Sequence, residues 1–112
     1  MDTVNCQHQE LANGGWATMP FCLQMGNLGS EVSRSLKWFG KNEKRFNAAF
    51  NRALELFDLT IECAVNQTSR LKEVCRAREE FCDYFLGNSW GTDPDKMLRY
   101  YDQFVSLAVH VA

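Results

Sequence analysis

The chain contains only two prolines, Pro20 and Pro94, so no helix breaker interrupts the long interval between them. Within that interval apolar residues recur every three or four positions, which is the spacing of one face of an α-helix. No stretch shows the alternation of apolar and polar residues that is typical of a β-strand. The sequence therefore predicts an all-α fold. The most regular run comprises Phe46, Ala49, Phe50, Ala53, Leu54, Phe57, Ile61 and Ala64.

Turn and capping residues divide the periodic sequence into four helices. Gly40 can end the first helix in a left-handed conformation, and Asn42 can cap the second. Pro20 and Pro94 suit the first turns of the first and fourth helices, where a missing N–H costs nothing. Because the connections are short, the prediction is an up-and-down four-helix bundle with antiparallel neighbours. Polar turns are expected at residues 40–42, 66–69 and 87–93.

One change in composition divides the chain into an arm and a domain. Residues 1–18 are polar and contain an Asn13-Gly14-Gly15 break, so they predict a short N-terminal arm that is mobile or loosely packed. Residues 19–112 carry the helical pattern and form the predicted bundle domain. Trp16 is expected to anchor the end of the arm against the bundle.

Charge and cysteine content bear on partners and compartment. The formal net charge is -2 and the pI is near 5.6, so nucleic acid is a possible partner but not a favoured one. No apolar run reaches the roughly 18 residues of a membrane span, and the N-terminus lacks the order of a secretory signal. A cytoplasmic protein without a membrane partner is therefore expected. Five cysteines occur without a Cys-x-x-Cys pair, and Cys63, Cys75 and Cys82 are interpreted as apolar fillers.

Charged residues form an ordered stripe on each of the second and third helices. Because those helices are expected to be neighbours, the stripes predict one candidate polar site: Glu55, Asp58, Arg76, Glu79 and Asp83. Three interpretations are open, namely a carboxylate-lined metal site, a solvated face with weak ion pairs, or an Asp58–Arg76 pair that fixes helix register. A di-iron site needs Glu-x-x-His on two helices, whereas His8 and His110 lie near the chain ends. No metal or cofactor is therefore predicted.

Basic and aromatic residues mix around the first turn between helices. The candidate basic–aromatic surface consists of Arg34, Lys37, Trp38 and Lys41. Cations beside aromatic rings can grip RNA or a phosphate-bearing ligand. The same composition also suits a solvated loop, and both interpretations stay open.

The sequence offers no catalytic arrangement. A hydrolytic triad needs a His beside a Ser or Cys, but both histidines are peripheral and no Gly-x-Ser-x-Gly turn occurs. Gly26 and Gly29 lack the Gly-Lys-Ser/Thr ending of a phosphate-binding loop. Their spacing instead predicts the close approach of another helix. These features favour a protein that is not an enzyme.

Three runs carry a family resemblance: GNLGSEVSR from Gly26, RALELFDLTI from Arg52 and RLKEVCRARE from Arg70. They resemble a family of small, uncharacterised prokaryotic helical-bundle proteins. The resemblance covers roughly residues 25–108, nearly the whole predicted domain. It implies the helical-bundle fold and carries no activity over to this chain.

A short antiparallel helical bundle is also similar in architecture to the HEPN class of nucleotide-binding or RNA-cleaving domains. Catalytic members carry an Arg followed a few residues later by a His, and no Arg here precedes either histidine at that spacing. Architecture alone does not imply function. The similarity implies a binding-only relative, or an enzyme that uses Arg34, Arg76 or Glu79 in place of the missing His.

The leading hypothesis is a non-catalytic helical module that self-associates as a homodimer and contacts another macromolecule, such as a protein partner. The supply of aromatic residues supports it, because exposed aromatic surface invites a partner. The alternative is a HEPN-like RNA- or nucleotide-binding protein. A carboxylate-lined metal-binding bundle is the third hypothesis.

Overall fold

The computed structural model of the chain describes residues 15–111, with side chains as far as Leu107. It contains four helices: α1 (Phe21–Trp38), α2 (Glu43–Cys63), α3 (Thr68–Phe85) and α4 (Pro94–Val111). No strand occurs in this part of the chain. The predicted all-α four-helix bundle is confirmed. None of the helices in the described part is both long and apolar enough to span a bilayer.

The turn before α2 and the start of α4 have the capping chemistry that the sequence predicts, whereas Gln67, the N-cap of α3, makes no side-chain capping bond. Asn42 caps α2, since its Oδ1 accepts a 3.0 Å hydrogen bond from the Arg45 N–H. Gly40 precedes it with a φ of 75°, a conformation that glycine adopts without steric cost. Asp93 caps α4 in the same way, by accepting from the Asp95 N–H at 3.0 Å. Each cap satisfies a backbone donor that the first turn of its helix leaves open.

The helices are arranged as antiparallel neighbours around α1. α1 packs against both α2 and α4, and α2 packs against α3. Ring pairs run in opposite order along α2 and α3, from Phe46 with Phe85 to Phe57 with Phe81. α3 and α4 approach each other less closely. A groove therefore remains between the last two helices.

The core is built from the apolar faces of all four helices and from Trp16, which precedes α1. Trp16 is 1% exposed, and its Nε1–H donates to Thr60 Oγ1 at 2.9 Å, so the polar edge of the indole is satisfied in the interior. The predicted anchoring by Trp16 is confirmed, while residues 1–14 of the predicted arm lie outside the described residues. Other large side chains with almost no exposure are Met25, Leu28, Val32, Phe57, Val74, Phe81 and Tyr101.

Two glycines let α4 lie close against α1. A Cβ at Gly29 would lie 2.5 Å from the Tyr101 Cβ, and one at Gly26 would lie 3.5 Å from the Val105 Cγ2. The close approach that the Gly-x-x-Gly spacing predicts is confirmed. It is most demanding at Gly29, where no larger residue fits unless α4 moves.

Candidate functional site

The charge stripes of α2 and α3 meet at a different pair of residues from the predicted one. Asp58 pairs with Arg78 at 3.1 Å, and both side chains are substantially exposed. This corrects the interpretation that Asp58 pairs with Arg76, which instead lines the groove between α3 and α4. Residues two apart are separated by about 200° around a helix axis. The side of α3 that faces Asp58 therefore carries Arg78 and turns Arg76 away.

The other three members of the candidate polar site differ in their surroundings. Glu79 is exposed and Glu55 is half-buried. Asp83, at the end of α3, accepts hydrogen bonds from the Ser89 hydroxyl and from the Trp90 N–H. These donors hold the pKa of the Asp83 carboxyl below its usual range. Among the described residues, no group of three or more potential metal ligands is found.

A groove of about 510 Å³ runs between α3 and α4. Its floor is apolar and consists of Ala77, Met97 and the ring of Tyr100. Its rim carries three cations and three carboxylates. We call the floor and the rim together the α3–α4 groove. The charged residues of the rim are Lys72, Arg76, Lys96, Glu73, Glu80 and Asp93.

Two adjacent tyrosines of α4 have perturbed phenol groups. The Tyr100 hydroxyl donates to Glu73 Oε2 at 2.8 Å, and burial together with this bond raises the pKa of the phenol. Tyr101 is 2% exposed, and burial followed by the charge of Glu80 raises its pKa as well. Both phenols stay protonated at physiological pH. They therefore supply apolar surface and hydrogen-bond donors.

The loop before α4 holds an exposed tryptophan, and Thr92 and Asp93 of the same loop line the α3–α4 groove. Asn88 ties the loop to Thr92, because its Nδ2 donates to the Thr92 carbonyl at 3.1 Å and its Oδ1 accepts from the Thr92 N–H at 2.7 Å. Asp83 fixes the preceding turn through the Trp90 N–H at 3.1 Å. Trp90 is nevertheless 52% exposed. Hydrogen bonds thus fix the loop backbone before and after Trp90, while its indole ring is exposed to solvent.

The candidate basic–aromatic surface spans the end of α1 and the turn after it. Arg34 and Lys37 line a second groove, of about 520 Å³, between α1 and α4. The Lys37 Nζ lies 5.1 Å from the ring centroid of Trp38, and the Arg45 Cζ lies over the same ring at 4.6 Å. Lys41 is exposed in the turn. The structure thus adds Arg45 to this surface and places Arg34 at its margin.

A buried carboxylate on α1 was not singled out from the sequence. Glu31 is 7% exposed and pairs with Arg34 at 3.0 Å and with Arg52 of α2 at 3.4 Å. The i,i+3 spacing to Arg34 indicated the first contact. The burial is explained by position, since Glu31 lies between Leu28 and Val32 on the turn of α1 that faces the core.

The cysteines of the described part are free thiols. Cys22, Cys63, Cys75 and Cys82 are all half-buried. Burial raises the pKa of the Cys63 and Cys82 thiols, which keeps them neutral and weakly nucleophilic. This agrees with their interpretation as apolar fillers.

The sequence runs that suggest a family lie on three different helices. They begin at Gly26, Arg52 and Arg70, which belong to α1, α2 and α3. Their apolar residues contribute much of the core, so packing alone accounts for the pattern, and the resemblance stays a prediction. No protein-family model, no curated protein and no solved structure matches this chain.

Proposed function

We propose that the chain is a non-catalytic helical module that binds protein surfaces and forms a homodimer through the α3–α4 groove. The observation that carries the proposal is the open groove itself. Met97 and Ala77 form an apolar floor between two helices that approach each other loosely. Apolar grooves between helices are surfaces that partner proteins cover.

The charges of the rim suit a second copy of the same chain. In a two-fold dimer the same patch lies on both subunits, so it must be complementary to itself. A rim of one sign would repel its copy. The groove instead carries three cations and three carboxylates, which offer an opposite charge to each group across the interface.

Trp90 supplies the side chain that can fill the groove of the other copy. It is 52% exposed, and its loop is held by Asp83 and by the Asn88–Thr92 bonds. A loop that is already ordered loses little conformational entropy on binding. Tryptophan is also frequent among residues that dominate interface energies. In the proposed dimer, Trp90 of each copy packs on the apolar floor of the other.

Sedimentation equilibrium of the full chain tests this proposal. We expect a dimer at micromolar concentration, and Trp90→Ala should raise its dissociation constant about tenfold or more. Leu107→Ala is the matched control, because Leu107 is also a large apolar side chain, 55% exposed, outside the groove. A monomer at high micromolar concentration contradicts the proposal, and so does an equal effect of the two variants.

Charge reversal gives an independent test of the same interface. Lys96→Glu and Glu80→Lys each unbalance the rim, in opposite directions, so each variant alone should dimerise about tenfold more weakly. An equimolar mixture should recover dimers, because the two altered rims complement one another. Failure of the mixture to dimerise while both variants remain folded would count against the groove as the interface.

A further inference from the structure

A second exposed surface lies where the end of α1, the start of α2 and the end of α3 meet. Phe39 is 46% exposed and Leu86 is 81% exposed. The Phe39 ring packs against Phe46 and Phe85 at centroid distances of 5.2 and 4.9 Å. Phe85, the residue before Leu86, packs in turn on the buried Phe81 at 5.2 Å. Phe39 therefore packs against a cluster of aromatic rings, and Leu86 directly follows a member of that cluster in the sequence.

The segment that contains Phe39, residues 37–45, carries four basic residues and one acidic residue, Glu43. In the described part of the chain, no carboxylate forms an ion pair with any of the four. The surface therefore receives a net charge of +3 from residues 37–45, on a chain whose net charge is -2. We call it the cationic end, and it comprises Phe39, Leu86, Lys37, Lys41, Lys44 and Arg45.

We propose that the cationic end docks an acidic, amphipathic helical segment of a partner protein. The apolar side chains of that segment cover Phe39 and Leu86. Its carboxylates meet cations that have no carboxylate partner among the described residues. Apolar contact and charge complementarity act together in this mode of recognition.

The ring geometry favours a peptide over single-stranded RNA. Base stacking needs a free aromatic face. Lys37 and Arg45 already lie over the Trp38 ring at 5.1 and 4.6 Å. The Phe39 ring contacts two other phenylalanines, and Leu86, the more exposed of the two apolar members, has no aromatic ring.

The amount of exposed apolar surface favours a peptide over a lipid bilayer. Phe39 and Leu86 together hold much less hydrocarbon than a single acyl chain. One acyl chain alone gives only marginal, reversible membrane binding. The cationic end is therefore too weakly apolar to act as a membrane anchor.

The test uses the full chain labelled with ¹⁵N and a synthetic helical peptide of about four turns, with Glu on one face and Leu on the other. We expect saturable binding that weakens with salt, with amide shift changes confined to residues 37–46 and 84–86. Lys41→Glu and Leu86→Ser should each raise the dissociation constant about fivefold or more. Arg99→Glu is an exposed charge reversal on α4 and should leave the constant within about twofold.

Several results would overturn the proposal. If Lys41→Glu and Arg99→Glu weakened peptide binding equally, the peptide would be held by general electrostatic attraction and not by a specific site. Tighter binding of poly(U) RNA, or of phosphatidylglycerol vesicles, through Lys41 and Leu86 would assign the surface to RNA or to a membrane.

If Leu86→Ser lowers the helical content, Lys41→Glu still decides, because it alters an exposed turn. Lys96→Glu should leave peptide binding unchanged, so this test and that of the homodimer fail independently.

Discussion

Glu31 shows how the bundle holds a charged side chain in its interior. The carboxylate is 7% exposed, and its two oxygens pair with different arginines, Oε2 with Arg34 and Oε1 with Arg52. Burying a charge is costly unless it is paired, and a buried pair adds little net stability. Arg52 belongs to α2, so this pairing mainly sets how α1 and α2 align.

Replacing Glu31 by Gln should lower the free energy of unfolding by about 1–2 kcal/mol. The cost stays below that of a fully buried pair because Arg34 is 54% and Arg52 is 29% exposed, and water can solvate both. Urea unfolding followed by circular dichroism measures it. Arg34→Gln is the control and should cost less than about 1 kcal/mol, since Glu31 keeps Arg52. A smaller effect for Glu31→Gln than for Arg34→Gln would refute this role.

Asp83 should make the Trp90 loop sensitive to acid. The Ser89 hydroxyl, and then the Trp90 N–H, stabilise the carboxylate and lower its folded-state pKa. A carboxyl group whose pKa is lower in the folded state than in the unfolded state stabilises the fold at pH values above its unfolded-state pKa. That stabilisation is lost as the pH falls through the folded-state pKa. NMR titration should place the midpoint of Asp83 below the usual Asp range, with the Trp90 amide following it. Ser89→Ala should raise this midpoint, and an unchanged midpoint would show that the hydroxyl is not the cause.

At the scale of elements, the contact between α1 and α4 depends on Gly29 more than on Gly26. A Cβ at Gly29 would lie 2.5 Å from the Tyr101 Cβ, which cannot move without the α4 backbone. Gly29→Ala should therefore destabilise the bundle by about 1–3 kcal/mol through overpacking. Gly26→Ala meets Val105 at an ordinary 3.5 Å, so the better helix propensity of Ala should stabilise by up to about 1 kcal/mol. Thermal unfolding of the two variants gives the comparison, and equal shifts would contradict it.

The sequence predicted the helices well because their signals are local. Asn42 and Asp93 cap where their side chains can reach the next N–H groups, and the spacing from Phe46 to Ala64 repeats at the helical period. The Gly26 and Gly29 pair also signalled a close contact. None of these features depends on knowing which helix is the neighbour.

The candidate site was harder to predict because it depends on how each helix is rotated. Asp58 finds Arg78 instead of Arg76, since the packed rings of α2 and α3 decide which side of α3 faces α2. Arg76 thereby joins the α3–α4 groove. The exposure of Trp90 likewise follows from the bonds made by Asp83, which lies seven residues earlier. Spacing along one helix carries no information about such contacts between elements.

For the whole molecule, buried phenols couple stability to alkaline pH. Tyr101 lies against Gly29 of α1 and is 2% exposed, and no hydrogen bond joins its hydroxyl to any residue that the structure describes. Tyr100 is bonded to Glu73. Ionising Tyr101 would place an anion in the interior near the charge of Glu80, and ionising Tyr100 would place one beside Glu73 in the α3–α4 groove. Both phenols therefore resist ionisation while the bundle is folded.

Stability should accordingly fall at high pH, and Tyr101→Phe should reduce that fall. The pKa values of both tyrosines are raised in the folded state. The stabilisation that they contribute is therefore complete at pH values below the unfolded-state pKa of about 10. It is lost as the pH rises through the folded-state pKa values. Each pH unit in that window should cost about 1.4 kcal/mol for every phenol that ionises on unfolding. At pH 7, Tyr101→Phe should be neutral or slightly stabilising, because it keeps the ring and removes a buried hydroxyl that has no hydrogen-bond partner among the described residues. Urea unfolding between neutral and strongly alkaline pH measures both effects. Parallel pH profiles for the wild type and Tyr101→Phe would mean that the Tyr101 phenol ionises without unfolding, and that its environment is wetter than its burial indicates.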